Sequence, residues 1–219
     1  MDIKLPKGYI LEYIADGRTP IRALTDIAVS KLSHYLNGEG DIIELGASSD
    51  YYSKYFSVDK RYVVTNLTGT HIQIDMTSMK FKHNSIHYLT SFYALEHVFN
   101  YNAFFKEVYR VLIPGGRCML ALPFIYPFHA APDDYFRFSV SMLRRVFKKF
   151  MILEIIPLGN REINIAEFLM EKSWHPYQKS AFSRFLLRLL ALPFLLVGMS
   201  KASDQIFAGA FICVVEKPE

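Results

Sequence analysis

Residues 41–50 read D-I-I-E-L-G-A-S-S-D. Ile42, Ile43 and Leu45 form a short apolar run, Glu44 falls at its end, and Gly46 breaks it before a small-residue segment. Tyr51–Phe56 follows and is placed to open a helix. Strand, tight turn and helix start, in that order, set backbone N–H groups and a carboxylate beside the carboxyl end of a parallel strand. Open α/β sheets bind nucleotide-like ligands there. Of the three glycines in G-x-G-x-x-G only Gly46 is present, so the turn alone does not name a ligand.

Outward from this stretch, strands and helices alternate. Downstream, Tyr62–Asn66 is β-branched and apolar, His71–Asp75 alternates and ends in an acid, and Ile86–Ser91 is a further strand. Asn100 is placed to cap a helix with Phe104, Phe105, Val108, Val111 and Leu112 on its apolar face, ended by Pro114-Gly115-Gly116. Strands are expected again at Arg117–Leu122, Ile152–Ile156 and Phe211–Val215, with a helix over Met142–Phe150 capped by Ser139. Upstream, Thr19-Pro20 starts a helix carrying Ile21, Leu24, Ala28, Leu32 and Tyr35, stopped by Asn37-Gly38. Residues 1–18 read as an irregular arm. The alternation implies an α/β fold with a right-handed, mostly parallel sheet.

With 219 residues the chain is most economically one domain. It divides into an arm and helix (1–38), a core (40–160), a helical cover or insertion (161–205) and a last strand (206–219). Hydrophobic residues make up 51%, enough for a sizeable core. The net charge of +4 is spread thinly, with no basic-aromatic stripe, which argues against nucleic acid. Met1–Gly8 has no apolar centre, so no signal peptide is expected. Cys118 and Cys213 lie in apolar runs and fit two buried thiols in a reducing cytoplasm. No Cys/His spacing matches a zinc site, and no metal is expected.

Region 161–205 breaks the rhythm. Glu162–Lys172 is followed by Phe185–Met199, a 15-residue apolar run containing Arg188 and Pro193. It is short for a bilayer span. With Arg184 and Lys201 at its flanks it suits a helical cover, a homodimer contact or a peripheral membrane contact.

Four blocks resemble the class I S-adenosylmethionine-dependent methyltransferases of bacterial small-molecule and glycan pathways: I-I-E-L-G-A-S-S-D (42–50), H-I-Q-I-D-M (71–76), A-L-E-H-V (94–98) and E-V-Y-R-V-L-I-P-G-G-R (107–117). The resemblance implies a Rossmann-like three-layer α/β sandwich with a seven-stranded, mostly parallel sheet. Its last strand would run antiparallel beside the fifth, making Cys118 and Cys213 neighbours. It also implies S-adenosylmethionine as cofactor. By the same resemblance Glu44, Gly46, Ala47 and Ser48 would cradle the methionine part, and Asn66 would stand where an acid normally holds the ribose. Asp75 would accept from the adenine amino group with Met76 against the ring. Ser91, Phe92 and His97 would line the methyl-donor side. Departures are Ile86-His87, where Phe-Asp is frequent, and Ser48 and Asp50, where glycine is common.

A second constellation, P-F-I-Y-P-F-H-A-A-P-D-D-Y-F-R-F-S (123–139), is similar to a block in a subset of these enzymes. It gathers His129, Asp133, Asp134, Tyr135 and Arg137 among aromatics in a loop at the carboxyl ends of the strands. Aromatic walls shed water and polar groups fix an acceptor in line with a sulfonium. His129 suits a general base, Asp133 or Asp134 its orienter, and Arg137 a clamp on an acceptor carboxylate or phosphate. The alternative is structural: Asp134 and Arg137, three apart, pair and pin the loop.

The function expected is methyl transfer to a small-molecule, glycan or lipid-linked acceptor, at oxygen if His129 is the base. A degenerate cofactor-binding or scaffold protein acting through 161–205 is a second reading. An NAD-dependent oxidoreductase is a third, disfavoured because no further glycine follows Gly46 in the turn. Nucleic-acid methylation is disfavoured by the lack of an N/D-P-P-Y/F block. The location expected is cytoplasmic, with possible membrane association.

Overall fold

The computed structural model describes residues 2–16, 18–57, 61–68, 72–130, 133–170 and 181–219. Seven strands form one sheet: β1 (Ile42–Leu45), β2 (Tyr62–Asn66), β3 (Ile72–Gln73), β4 (Ile86–Phe92), β5 (Leu112–Pro123), β6 (Met151–Leu158) and β7 (Ala210–Glu216), in the order β3-β2-β1-β4-β5-β7-β6. The first five pair in parallel, with Glu44 opposite Val64 on one side and Thr90 on the other. β7 runs antiparallel to β5. Gly115 N–H donates to the Lys217 carbonyl at 2.8 Å, while just past the other end of β5 Phe124 N–H donates to the Gly209 carbonyl at 2.8 Å. The seven-stranded α/β sheet with its antiparallel end is therefore present, and Cys118 and Cys213 lie buried on neighbouring strands with both thiols intact. Burial pushes both of them well up from the ordinary thiol range.

By compactness the chain divides into two units. One comprises Met1–Ala28, Phe124–His129 and Ile156–Phe211; the other comprises Val29–Pro123, Ala130–Ile155 and Ile212–Glu219.

In the second unit, α3 (Tyr101–Val111) starts where Asn100 accepts a bond from Ala103 N–H at 3.1 Å. It buries Phe104, Phe105, Val108 and Val111, the face expected. Its end is different. The helix stops at Val111, and Pro114-Gly115-Gly116 lies inside β5, which begins at Leu112 rather than Arg117. The reason is a bulge: between Ile86 and Tyr88 on β4 the pairing on β5 jumps from Leu112 to Arg117. Gly115 takes a positive φ of 74° there, and a Cβ on Gly116 would sit 2.8 Å from the Ile113 carbonyl oxygen. α4 (Val140–Val146) has the expected Ser139 cap but ends earlier than Phe150, in a turn that buries Phe147 and Phe150. β3 is only two residues long, so Asp75 lies beyond it and not at its end, and His71 falls outside the described residues. After β1 the residues Tyr51–Phe56 make only a 3-10 turn (Ser53–Tyr55) in place of the expected helix.

In the first unit, residues 9–16 are helical and not an irregular arm: α1 spans Tyr9–Asp16. Tyr9 and Tyr13, four apart on one face, are both buried, and the Tyr9 hydroxyl donates to the Arg18 carbonyl. So short a helix is marginal alone and is held by such packing. α2 (Pro20–Leu32) begins at Pro20 as expected, and a buried Glu167 carboxylate accepts from its Ile21 N–H at 2.8 Å. Glu167 belongs to α5 (Arg161–Met170), which packs along α6 (Ala181–Ser200), 20 residues instead of 15.

Candidate active site

The carboxyl end of β1 holds a buried acid. Glu44 is closed off from solvent, and the Tyr62 hydroxyl of β2 donates to its Oε2 at 2.8 Å. Thr90, opposite Glu44 on β4, brings its hydroxyl 3.3 Å from the same Tyr62 oxygen. Burial raises the Glu44 carboxyl to about 7, against the pull of the Tyr62 bond and with a push from Asp50. Such a group is poised to take up a cationic partner.

Gly46 follows with φ of 76°. A Cβ there would come within 2.7 Å of both the Ala94 Cβ and the Met76 Cε, so only glycine lets the backbone turn at this point. Ala47 N–H donates to the Thr65 carbonyl at 3.0 Å, and Asn66 Nδ2 donates to the Ala47 carbonyl at 3.1 Å. Asn66 thus ties the ends of β1 and β2 together, with Ser48 next in the turn. Asp75 is exposed, its Oδ1 accepting from the N–H and the hydroxyl of Thr77 at 2.7 Å each. Glu107 and Arg110, from the E-V-Y-R block, hold the segment just after it. Met79 N–H donates to Glu107 at 2.7 Å, and Arg110 donates to the Met79 and Phe81 carbonyls at 2.7 and 2.8 Å. The structure therefore gathers Glu44, Gly46, Ala47, Asn66 and Met76, with Asp75 on the adjoining turn.

β4 contributes Ser91, whose hydroxyl donates to the Leu45 carbonyl at 2.9 Å, and Phe92, whose ring lies 4.2 Å from that of Tyr52. Tyr93 then takes a positive φ of 53°, a costly conformation for a residue with a side chain. It lies next to Ala94, the residue under Gly46.

The A-L-E-H-V block receives the later loop. Tyr135 N–H donates to the Glu96 carbonyl at 2.9 Å, and the His97 ring Nδ1 meets the Asp133 carbonyl. The Glu96 side chain is fully buried, and burial raises it to about 7, opposed by its backbone bond and by the His97 and Arg137 charges. Asp134 makes a bidentate pair with Arg137, and the Tyr135 hydroxyl donates to Asp133 at 2.9 Å. Both aspartates are thus engaged within the loop, as the structural alternative has it. The rings of Phe99 and Tyr135 meet edge-on at 5.3 Å, and those of Tyr101 and Phe136 at 5.0 Å. His129 belongs to the other compact unit. Its Nδ1 is 3.3 Å from the Pro127 carbonyl and its ring stands edge-on to Tyr126. A carbonyl only accepts, so Nδ1 carries the proton and Nε2 is the basic nitrogen.

Tyr62, Thr90, Tyr52 and the strained Tyr93 escaped the sequence reading. Tyr62 and Thr90 carry no local motif and meet Glu44 only through strand register.

Residues 43–120 match the methyltransferase-domain family. Over 78 residues the chain is 36% identical to a ubiquinone/menaquinone biosynthesis C-methyltransferase UbiE of Desulfotalea psychrophila, an alignment covering 33% of this chain and 30% of that protein. The chain thus spans under a third of that relative's length. Among solved structures it resembles the [4+2]-cyclase SpnF, at TM-score 0.60 and 14% identity over 96% of this chain and 92% of that one. It also resembles Haemonchus contortus phosphoethanolamine N-methyltransferase 2 in complex with S-adenosyl-L-methionine, at TM-score 0.58 and 15% identity over 96% and 56%. Residues 43–120 thus match a methyltransferase domain, and the seven-stranded sheet that carries them has the fold shared by these methyltransferase structures.

Proposed function

We propose that the protein transfers a methyl group from S-adenosylmethionine to an oxygen of a small-molecule, glycan or lipid-linked acceptor. The observation that carries the cofactor half is the glycine turn at Gly46, closed beneath by Met76 and Ala94, beside the buried Glu44 carboxyl. S-adenosylmethionine, when bound, supplies a methyl group on a sulfonium that leaves by in-line displacement. Glu44 would receive the ammonium of its methionine part, with Gly46, Ala47 and Ser48 offering close backbone approach. Asn66 would bond the ribose hydroxyls and Asp75 the adenine amino group, with Met76 against the ring. Ser91, Phe92 and His97 would border the methyl donor.

The acceptor half rests on chemistry. Oxygen acceptors must lose a proton, and the basic Nε2 of His129 suits that task. Asp134 and Arg137 would shape the acceptor site by fixing the loop that carries Tyr135, and that ring supplies an apolar wall. The two thiols suit a cytoplasmic protein. His129→Gln is expected to lower turnover on oxygen acceptors while leaving cofactor affinity in place; equal losses in both would remove His129 from the chemistry.

A cofactor-binding or scaffold role on the same fold is the second reading, favoured by the 3-10 turn that replaces a helix after β1. Isothermal calorimetry separates the two. Saturable binding of S-adenosylmethionine and S-adenosylhomocysteine, with none of NAD, is expected, and failure to bind either would overturn the transferase reading.

A further inference from the structure

Within the first unit, α6 turns an uncharged apolar half to the outside. Phe182, Phe185, Leu186, Leu189, Leu190 and Phe194 fall on one side of a helix of about 3.6 residues per turn. All are exposed, Phe182 at 75% and Leu190 at 54%. No charged residue occurs on that half. Arg184 and Arg188 project from the other, where Arg188 donates to the Ile14 carbonyl of α1 at 2.7 Å. Leu11 on α1 and Ile206 are exposed as well. Exposed apolar faces of this extent mark binding sites.

The opposite half of α6 is taken. Ala191, Leu195 and Gly198 are buried, and a Cβ on Gly198 would lie 2.8 Å from Ile163 of α5. Along that seam Asn160 Nδ2 donates to the Gly198 carbonyl at 3.0 Å, and Asn164 Nδ2 donates to the Phe207 carbonyl at 2.7 Å. Among the described residues Phe182–Ser200 is long and apolar enough to cross a membrane. A helix clamped on one side to a polar-bearing partner is nonetheless unsuited to being ringed by lipid. It has the form of an in-plane helix.

Charge selects the occupant. α6 itself carries Arg184 and Arg188 and no acid. An anionic bilayer complements them. We propose that this face docks the protein on the surface of a membrane containing anionic lipid, with α6 lying in the headgroup plane. This inference does not rest on the methyltransferase activity.

The test is flotation of the purified full-length protein with phosphatidylcholine vesicles, with and without phosphatidylglycerol. Strong flotation on the anionic vesicles, at least several-fold weaker on the neutral ones, is expected. Leu186→Glu/Leu190→Glu is expected to abolish flotation while keeping the thermal midpoint and cofactor binding; should that variant fail to fold, Phe182→Glu probes the same face. No flotation on either vesicle, or flotation kept in the folded variants, would overturn the proposal. So would a dimer in sedimentation velocity that the same substitutions dissociate, which would give the face to a second copy. Loss of cofactor binding bears on the transferase reading alone, since flotation is read without it.

Discussion

The Tyr62 hydroxyl donates to the buried Glu44 carboxyl at 2.8 Å across the β1–β2 pair. An acid buried this way is raised to about 7, so between its unfolded value and 7 the native state holds the proton more tightly than the unfolded chain. Stability therefore falls as pH rises through that window, and the contribution is lost in full above it. Glu44→Gln keeps an acceptor for Tyr62 and removes the titration. The variant is expected to gain on the order of 2–3 kcal/mol relative to wild type on going from pH 5 to pH 8. Denaturant midpoints across that range check it, with a parallel pH profile in the two proteins as the contrary result. A cationic cofactor group beside Glu44 favours the ionised carboxyl, so S-adenosylmethionine affinity is expected to climb as pH rises toward 8 in wild type and to stay flat in the variant.

Gly46→Ala carries two costs. The positive φ strains any side-chain-bearing residue by about 1 kcal/mol, and the new methyl meets Met76 Cε and Ala94 Cβ at 2.7 Å. A flexible methionine end can give way, but Ala94 cannot. We expect a loss of about 2–3 kcal/mol in unfolding free energy. Adding Met76→Ala should return only part of it. Full rescue by the second change would place the whole cost in the Met76 contact.

The Glu44–Gly46 turn was legible because an apolar run, an acid and a glycine in sequence are local signals. So were β2, the Asn100 and Ser139 caps and the Asp134–Arg137 spacing, each set within a few residues. What was hidden is set at a distance. Tyr62 meets Glu44 only once the parallel register puts Ile42 opposite Tyr62. The bulge at Gly115 and Gly116 exists because β5 must hold β4 on one side and Lys217 on the other, so a Pro-Gly-Gly that reads as a helix stop becomes strand. α1 was missed because its helix is secured by two buried tyrosines rather than by its own propensity. In the 123–139 loop residue types left catalysis and a structural pair both open for Asp134 and Arg137, and the side chains are engaged with each other.

That pairing can be measured. The Asp134 side chain is 1% exposed and Arg137 22%, so removing the guanidinium takes a bidentate partner from a buried carboxylate. Arg137→Ala is expected to cost about 3 kcal/mol of stability. The double variant Asp134→Ala/Arg137→Ala should be more stable than Arg137→Ala, because the buried carboxylate is removed together with its bidentate partner. Thermal unfolding of the four proteins closes the cycle. A stable Arg137→Ala with sharply reduced turnover would instead place the guanidinium on the acceptor.

Asp75 separates a turn-forming role from a ligand-binding one. Its Oδ1 already accepts two bonds from Thr77 at 2.7 Å, which orders the turn before any ligand arrives. Thr77→Ala removes the hydroxyl donor but leaves the carboxylate and the N–H bond, so a modest loss of S-adenosylmethionine affinity is expected, below about 1 kcal/mol. On the proposed reading Asp75→Ala removes both roles, the turn and the acceptor for the adenine amino group, and should weaken binding by about 1–3 kcal/mol. Asp75→Asn keeps a carbonyl acceptor and should fall between them. Calorimetry gives the order directly. If Thr77→Ala and Asp75→Ala lose the same amount, Asp75 acts through the turn alone and the adenine is held by other groups.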